Sequence, residues 1–433
     1  MRQNYSREGG LDYIVGSGGL ITEAVSTQVW SGDAQVHVSI VNWQKRNAQV
    51  VPHGAVGEPP VLPGSSRTYR LTFQRGDSVD SPWETFDLPV INSALSNEID
   101  VTGARHIQAN RKPKYCLEGQ QPGHKGFCID THERSVLLKK NPHATKIIFP
   151  ILNGDDLISG LYHTEPCWVI DLDKRDMFGA REFPAVFDYL QDKVLAKWTE
   201  NAVREKEETG KEIGEHQNRL QRWWLLKRRR SELIAGLEKI QRYIACSAVT
   251  KRPIFNFISS SVRPSNALKA FLFADDYSFG ILQSQMHYEW FLAKGSSLKG
   301  DPRYTPDTVF DTFPWPQSPT KAQITEVAAA AVALRGLRRD VMAQLGYSLR
   351  ELYRTLDTPG TNPLRDAHAR LDAAVRAAYG MPKEADPLAF LLALNLELAA
   401  AESNGTRIIP PGLPLPKPEH TQFITTDCIR VSA

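Results

Sequence analysis

Pro184-Ala185-Val186-Phe187-Asp188-Tyr189-Leu190-Gln191-Asp192-Lys193-Val194-Leu195-Ala196-Lys197-Trp198 opens a helix. Proline suits a first helical position, where no N–H partner is needed. Phe187, Leu190, Val194 and Trp198 recur at spacings of three and four, an apolar stripe for one helix face. The helical pattern runs over 185–245, with short strand-like pieces on both sides. Before it stand Tyr115-Cys116-Leu117, Gly126-Phe127-Cys128-Ile129, Ile147-Ile148-Phe149 and Trp168-Val169-Ile170. After it come Val249 to Ile258, Lys269 to Phe273 and a short helix at Ser284 to Leu292. Strands and helices mixed in this way predict an α+β unit. Phe313-Pro314-Trp315-Pro316 closes it as a rigid terminator.

Further out the pattern changes. From 320 the chain is rich in Ala and Leu, predicting helices near 321–345, 348–356, 361–379 and 387–402 and an all-α C-terminal domain over 320–405. A tail at 406–433, with Pro410-Pro411, Pro414, Pro416 and Pro418, is expected to be extended or disordered. At the other end, residues 1–45 read as a short helix and a β-hairpin. Val36, Val38 and Ile40 alternate there with His37 and Ser39 across a turn from Ile21 to Val25. That is too little chain for a domain, and it points to a fragment, or to a chain whose partner sheet lies elsewhere. Gly16-Ser17-Gly18-Gly19 lacks the Lys-Ser/Thr of a phosphate loop and reads as a turn. Residues 46–90, rich in Pro, Gly and Ser, read as a connector with one strand-like piece at Tyr69 to Phe73.

Composition sets bounds. With 433 residues, 41% hydrophobic and 23% charged, the chain is neither mainly disordered nor collagen-like. A net charge of +3 excludes a uniformly basic coat but leaves room for a local patch. The longest apolar stretch, Leu388 to Ala401, is broken by Asn395 and Glu397 and is too short for a membrane span. No apolar run follows Met1, so no secretory signal is expected. Five cysteines without a C-x-x-C pair suggest reduced thiols in the cytoplasm.

Several residue sets invite chemistry. Cys116, His124, Cys128 and His132 have gaps of eight, four and four, unlike zinc spacing, and no metal site is assigned to them. Asp155-Asp156 and Asp275-Asp276 suit turns or caps. A complete metal-dependent nuclease built on either pair is an alternative reading, as is a non-enzymatic protein–protein adaptor. The strongest anomaly is Arg219-Leu220-Gln221-Arg222-Trp223-Trp224-Leu225-Leu226-Lys227-Arg228-Arg229-Arg230, with six basic residues in twelve and no acid. Read as a helix, it groups Trp223, Leu226 and Arg230 on one face, with Arg222, Lys227 and Arg229 around the other. Cations over an aromatic base suit a phosphate backbone. Arg242, Lys251, Arg252, Arg263 and Lys269 add to that balance.

Several strings together resemble one family. They are Gly10-Leu11-Asp12-Tyr13-Ile14, Trp30-Ser31-Gly32-Asp33-Ala34, Val36 to Trp43, Asn153-Gly154-Asp155-Asp156-Leu157, and Trp223-Trp224 with Arg228. The most distinctive are Asp275 to Ser284 with His287 and Trp290, and Arg303-Tyr304-Thr305 leading to Phe313-Pro314-Trp315-Pro316. The chain thereby resembles the MmeI-like adenine-specific DNA methyltransferases of restriction–modification and phage-defence systems. The resemblance implies the end of a methyltransferase α/β sheet over 1–45, a connector over 46–90, a DNA target recognition domain over 91–317, and then the helical domain. It also implies double-stranded DNA as partner, adenine N6 as methyl acceptor with base flipping, and S-adenosylmethionine as the full enzyme's cofactor. The family's glycine-rich cofactor loop and Asn-Pro-Pro-Tyr motif do not occur in this sequence. No catalytic or cofactor-binding residue is therefore assigned here, and an upstream catalytic half is expected as a further partner.

Residues for DNA follow from side-chain chemistry. Lys227, Arg228, Arg229 and Arg230 form a dense cationic cluster, some of which is assigned to phosphates, and Arg222 is a further DNA-binding candidate. Base reading needs mixed donors and acceptors on loops or helix starts, which Ser296, Ser297, Lys299, Asp301 and Arg303 offer, with Gln283, Ser284 and His287 as further candidates.

Overall fold

The computed structural model of the protein describes residues 8–32, 37–45, 68–76, 78–97, 99–159, 167–210, 213–298 and 301–431. At 8, 296–298 and 301 it describes the backbone alone.

A short helix, α1 (Tyr13–Gly16), leads into β1 (Leu20–Val29) and β2 (His37–Gln44), an antiparallel pair. β3 (Tyr69–Gln74) runs parallel to β1, and β4 (Trp83–Leu88) completes a sheet ordered β2-β1-β3-β4. Ile21 and Ala24 of β1 share a core with Leu71 and Phe73 of β3, over Leu11, Ile91 and Leu95. The connector reading over 46–90 is thereby corrected for its second half. Leu71 and Phe73 point the same way along β3, and β1 supplies the sheet that buries them. Residues 46–67 lie outside the described residues.

Downstream come β5 (Cys116–Glu118), β6 (Cys128–Ile129), β7 (Ile148–Leu152), β8 (Cys167–Ile170), β9 (Arg242–Ser247), β10 (Asn256–Ser259), β11 (Arg263–Pro264) and β12 (Leu268–Phe271). They form two sheets, ordered β10-β9-β12-β5 and β11-β7-β8-β6. β13 (Ser296–Leu298) and β14 (Asp301–Arg303) make a separate hairpin. Around the sheets pack α2 (Gln108–Arg111), α3 (Thr131–Lys140), α4 (Gly154–Ser159), α5 (Met177–Arg181), α6 (Pro184–Leu190), α7 (Ala196–Thr209), α8 (Glu215–Leu220), α9 (Ser231–Leu237), α10 (Asp276–Gln283) and α11 (Gln285–Lys294). A π-turn at Gln191–Leu195 carries α6 into α7, and Phe187, Leu190, Val194 and Trp198 are all buried, as their spacing predicted.

The all-α part follows: α12 (Lys321–Leu345), α13 (Leu349–Arg354), α14 (Pro363–Ala378) and α15 (Pro387–Ser403). Capping boxes open α12 at Thr320 with Gln323 and α13 at Ser348 with Glu351. One apolar core joins these helices to the mixed part, with Phe271, Tyr277 and Phe279 packed among Val327, Leu371 and Leu391. Polar contacts join them too. Buried Asn395 donates to Arg105 O and Thr312 O at 2.8 and 2.6 Å and accepts from Arg105 N at 2.7 Å. Glu402 accepts from Gln108 N and Ala109 N at the start of α2, and Asp372 from Gln285 N at the start of α11. Each carboxylate takes up N–H groups that a helix start leaves without partners.

The tail expectation is also corrected over 406–431. Leu413 and Phe423 are buried in the shared core. Ile429 pairs parallel with Ile258, donating to Phe257 O at 2.8 Å while its own carbonyl accepts from Ser259 N at 2.9 Å. Just before it, Asp427 and Thr425 join a buried cluster with Asp276, Arg242 and Arg335. The prolines remove N–H donors, but buried side chains and the open edge of β10 supply the contacts that order the segment.

Candidate nucleic-acid interface

The basic run is not a helix. α8 ends at Leu220, turns occupy 221–224, and after bends at 225 and 227 Arg228 forms an isolated bridge with Gln121 (Arg228 N to Gln121 O, 3.0 Å). Adjacent Trp223 and Trp224 are both buried, which one stripe of a surface helix does not allow. Trp223 lies 5.2 Å from the Phe187 ring, and Trp224 donates to Arg175 O at 3.0 Å. Gly123, at φ +85°, passes beneath Lys227, where any side chain would meet Lys227 Cβ at 2.6 Å.

This path sorts the cations. Arg219 lies over Trp198 and donates to the carbonyls of Leu225 and Leu226, and burial pulls its pKa down to about 10. Arg229 grips buried Asp171 at 3.1 Å and Asp173 at 2.9 Å. Arg230, in the left-handed region at φ 62°, pairs with Glu118. Arg229 and Arg230 therefore serve the fold, and their assignment to phosphates is corrected: each guanidinium already has a carboxylate. Lys227 reaches exposed Glu215 at 2.8 Å, a pair that contributes little. Arg222 and Arg228 are exposed and make no ion pair among the described residues.

Sequence reasoning missed Glu118 as an organising acid. It accepts from Lys269 Nζ at 2.8 Å and from Arg230. Burial raises its pKa, but the Lys269 hydrogen bond and the charges of Lys269, Arg230 and Arg303 outweigh that and lower it overall. Together these groups carry three positive charges against one negative, beside a cleft of about 440 Å³ that Lys114, Glu118, Arg230, Asp307 and Asp311 line. A lysine inside the apolar string Leu268-Lys269-Ala270-Phe271 was the available signal: a buried cation requires a buried acid.

The hairpin stands at the same Arg303. Ser296 pairs with Arg303, Ser297 with Pro302, and Leu298 with Asp301. Its base is joined to the 248–250 segment through Tyr304 N to Ala248 O at 2.8 Å and Thr250 N to Pro302 O at 2.9 Å. Exposed Lys251 and half-buried Arg252 follow directly. Lys299 and the side chains of Ser296, Ser297 and Asp301 lie outside the described residues.

Gln283, Ser284 and His287 are buried at 7%, 0% and 0% exposure, which corrects their assignment to base edges. Gln283 Oε1 accepts from Phe255 N and Arg338. Ser284 caps α11. His287 bonds Leu282 O at 2.8 Å and Tyr304 Oη at 2.9 Å, and burial depresses its pKa to about 4. Arg242, Arg263 and Lys269 are buried as well, so of the five supporting cations only Lys251 and Arg252 reach the surface.

The acidic pairs are occupied. Asp275 caps α10 through Ser278 N at 2.7 Å, and Asp276 holds Arg242 and Arg335. Asp156 accepts from Asn153 N at 2.9 Å, and Asp155 meets Arg350 at 2.8 Å. Cys116 and Cys128 belong to different sheets. Among the described residues, no group of three His, Cys, Asp or Glu side chains is placed to hold a metal ion, and no helix is long and apolar enough to cross a membrane. Gly16 to Gly19 joins a helix to a strand, the reverse of the strand-to-helix order of a cofactor loop, and does not fit S-adenosylmethionine.

Three similarities to known proteins bear on this surface. The family model described as "MmeI, target recognition domain" matches residues 101–317. DNA methyltransferase A of Bacillus subtilis (strain 168) is 36% identical over 117 residues, 27% of this chain and 12% of that protein. The solved structure of the Type IIL restriction-modification enzyme MmeI in complex with DNA superposes with a TM-score of 0.65 at 20% identity, over 92% of this chain and 48% of that one. This chain thus spans about half the length of MmeI.

Proposed function

The chain belongs to the MmeI target recognition domain family, and we propose that it grips duplex DNA and reads the target of a restriction–modification methyltransferase. One observation carries the reading. Arg222 and Arg228 are exposed and make no ion pair among the described residues, on a segment that Trp223 and Trp224 fix to the core, with Lys227 between them. Exposed cations anchored in this way suit phosphates, which set position without carrying sequence information. The 296–303 hairpin reads base edges in this proposal. Arg303 and Lys299 pair with guanine, Asp301 accepts from cytosine, and Ser296 and Ser297 serve either. Methyl transfer to adenine N6, with S-adenosylmethionine, belongs to a catalytic half that brings the Asn-Pro-Pro-Tyr motif and the cofactor loop. The residues of this chain position the duplex and select the site.

Fluorescence anisotropy with duplex DNA over a salt series tests the grip. Arg222→Ala and Arg228→Ala are expected to weaken binding to all sequences alike, each lowering the salt slope by about one. An unchanged slope in both variants overturns the phosphate assignment. Lys299, Asp301 and Arg303 are tested with the catalytic half present, by sequencing methylated sites. Each substitution is expected to change the recognised motif, with about 1–3 kcal/mol lost per base contact. An unchanged motif moves the reading surface elsewhere.

A further inference from the structure

Phe178 is 82% exposed, the highest value among the large hydrophobic side chains of the described residues, and its neighbour Met177 is exposed as well. Both stand at the start of α5, whose other side buries Ala180. A lone apolar side chain on a surface is ordinary, but this one is held out on a fixed mount. Asp176 caps the helix by accepting from Gly179 N at 2.8 Å. The carbonyl of Arg175 accepts from Trp224 Nε1 at 3.0 Å. Asp173, in the left-handed region at φ 61°, meets Arg229 Nη1 at 2.9 Å. The 171–178 segment is thus tied at two points to the stretch that carries Arg222, Lys227 and Arg228. Beside the tip, Lys174 and Arg181 are exposed and make no ion pair among the described residues. Of the nearby acids, Asp173 and Asp176 are engaged as described, and exposed Glu182 is set against the two cations. An exposed ring between cations, anchored beside a basic segment, is complementary to a stack of flat bases between phosphates.

We propose that Phe178, with Met177 beside it, is a wedge that enters between two stacked base pairs of the bound duplex. The inference rests on the DNA-binding reading above and adds to it a bend in the DNA. An inserted apolar side chain partly unstacks one base step and kinks the duplex by about 20–90°. The Phe178 ring leaves water for the gap between the bases, and Lys174 and Arg181 meet the phosphates on either side of the opened step. Trp224 and Arg229 already hold the mount, so the protein has little left to order on insertion. Pyrimidine–purine steps unstack most readily, so the wedge favours TA and CA/TG steps. Selectivity of this kind requires no hydrogen bond to a base edge and is independent of the 296–303 hairpin.

The test uses the full chain and a duplex that contains TA and CA/TG steps and carries a fluorophore at each end. Affinity, salt slope and energy transfer between the ends are read together. Wild type is expected to bring the ends closer. Phe178→Ala is expected to bind about five-fold or more weakly with an unchanged salt slope, and to leave the duplex straight. Phe178→Trp keeps a flat ring and is expected to bend the duplex as wild type does. Phe178 is exposed, so both variants are expected to melt with wild type. Bound duplex that wild type leaves straight, or a Phe178→Ala chain that bends it as wild type does, overturns the wedge and leaves the grip of Arg222 and Arg228 standing. Wild type that binds no duplex overturns the DNA-binding reading and the wedge with it. A Phe178→Ala chain that binds and bends normally, but loses methyl transfer once a catalytic half is added, assigns the ring to that half and overturns the wedge.

Discussion

At Arg229 the guanidinium meets two carboxylates, while the side chain of neighbouring Arg228 meets solvent. The two arginines should therefore fail differently. Arg229→Ala leaves Asp171 buried with fewer donors and is expected to cost about 1–3 kcal/mol in denaturant unfolding. Arg228→Ala should stay within about 0.5 kcal/mol of wild type in that assay and lower DNA affinity instead. His287 gives a pH signature. Its folded pKa of about 4 lies below the ordinary 6.5, so between those values the unfolded chain binds more protons. The stability it supports is full above about pH 6.5 and falls as the solution is acidified. Subtracting the unfolding free energy of His287→Gln from that of wild type should give a difference that climbs by on the order of 3 kcal/mol from pH 4 to 6.5 and is flat above. Asp311 and Asp372, both raised to about 6 by burial, act with the opposite sign over much of that range, so the difference curve, not the wild-type curve, is the measurement to make. None of these roles was legible from residue type. Six cations in twelve residues announced a basic segment, but only buried Asp171 and half-buried Glu118, distant in sequence, show which of them are held by the fold.

Among elements, the stripe of Phe187, Leu190, Val194 and Trp198 and the capped helices beyond 320 were legible because local spacing and caps determine them. The run at 219–230 was not, because the burial of Trp223 against Phe187 overrides helical propensity. The tail was misjudged for a related reason: proline content reports missing donors, not the open edge of β10 that Ile429 fills. Two outcomes follow. Ending the chain after Phe423 removes Thr425, Asp427 and Ile429 and leaves Arg242 and Arg335 to share Asp276. Urea unfolding should show a loss of about 3–5 kcal/mol, the size expected when a buried ion cluster loses a partner. Removing residues 1–45 takes β1 and β2 from the first sheet, and limited proteolysis should then cut within 68–88, which the intact chain protects. Continued protection would mean that β3 and β4 hold without β1.

For the whole molecule, the α+β class and the family were legible because several separated strings agreed, whereas the proposed DNA surface needed the fold to separate exposed cations from buried ones. The proposal predicts that this chain alone transfers no methyl group to DNA, and that adding a catalytic half in trans restores transfer; tritiated-methyl incorporation measures both. Turnover by the chain alone would place an active site within it. The pairing of Arg242 with Asp427, 185 residues later, has a further consequence for synthesis. β9 leaves the ribosome long before Asp427 exists, so Arg242 and Arg335 have Asp276 alone to share, and the edge of β10 waits for a segment translated last among its partners. The sheet bearing β9 therefore closes only after that segment emerges, and a nascent chain stalled short of it exposes an unfinished edge to chaperones and proteases.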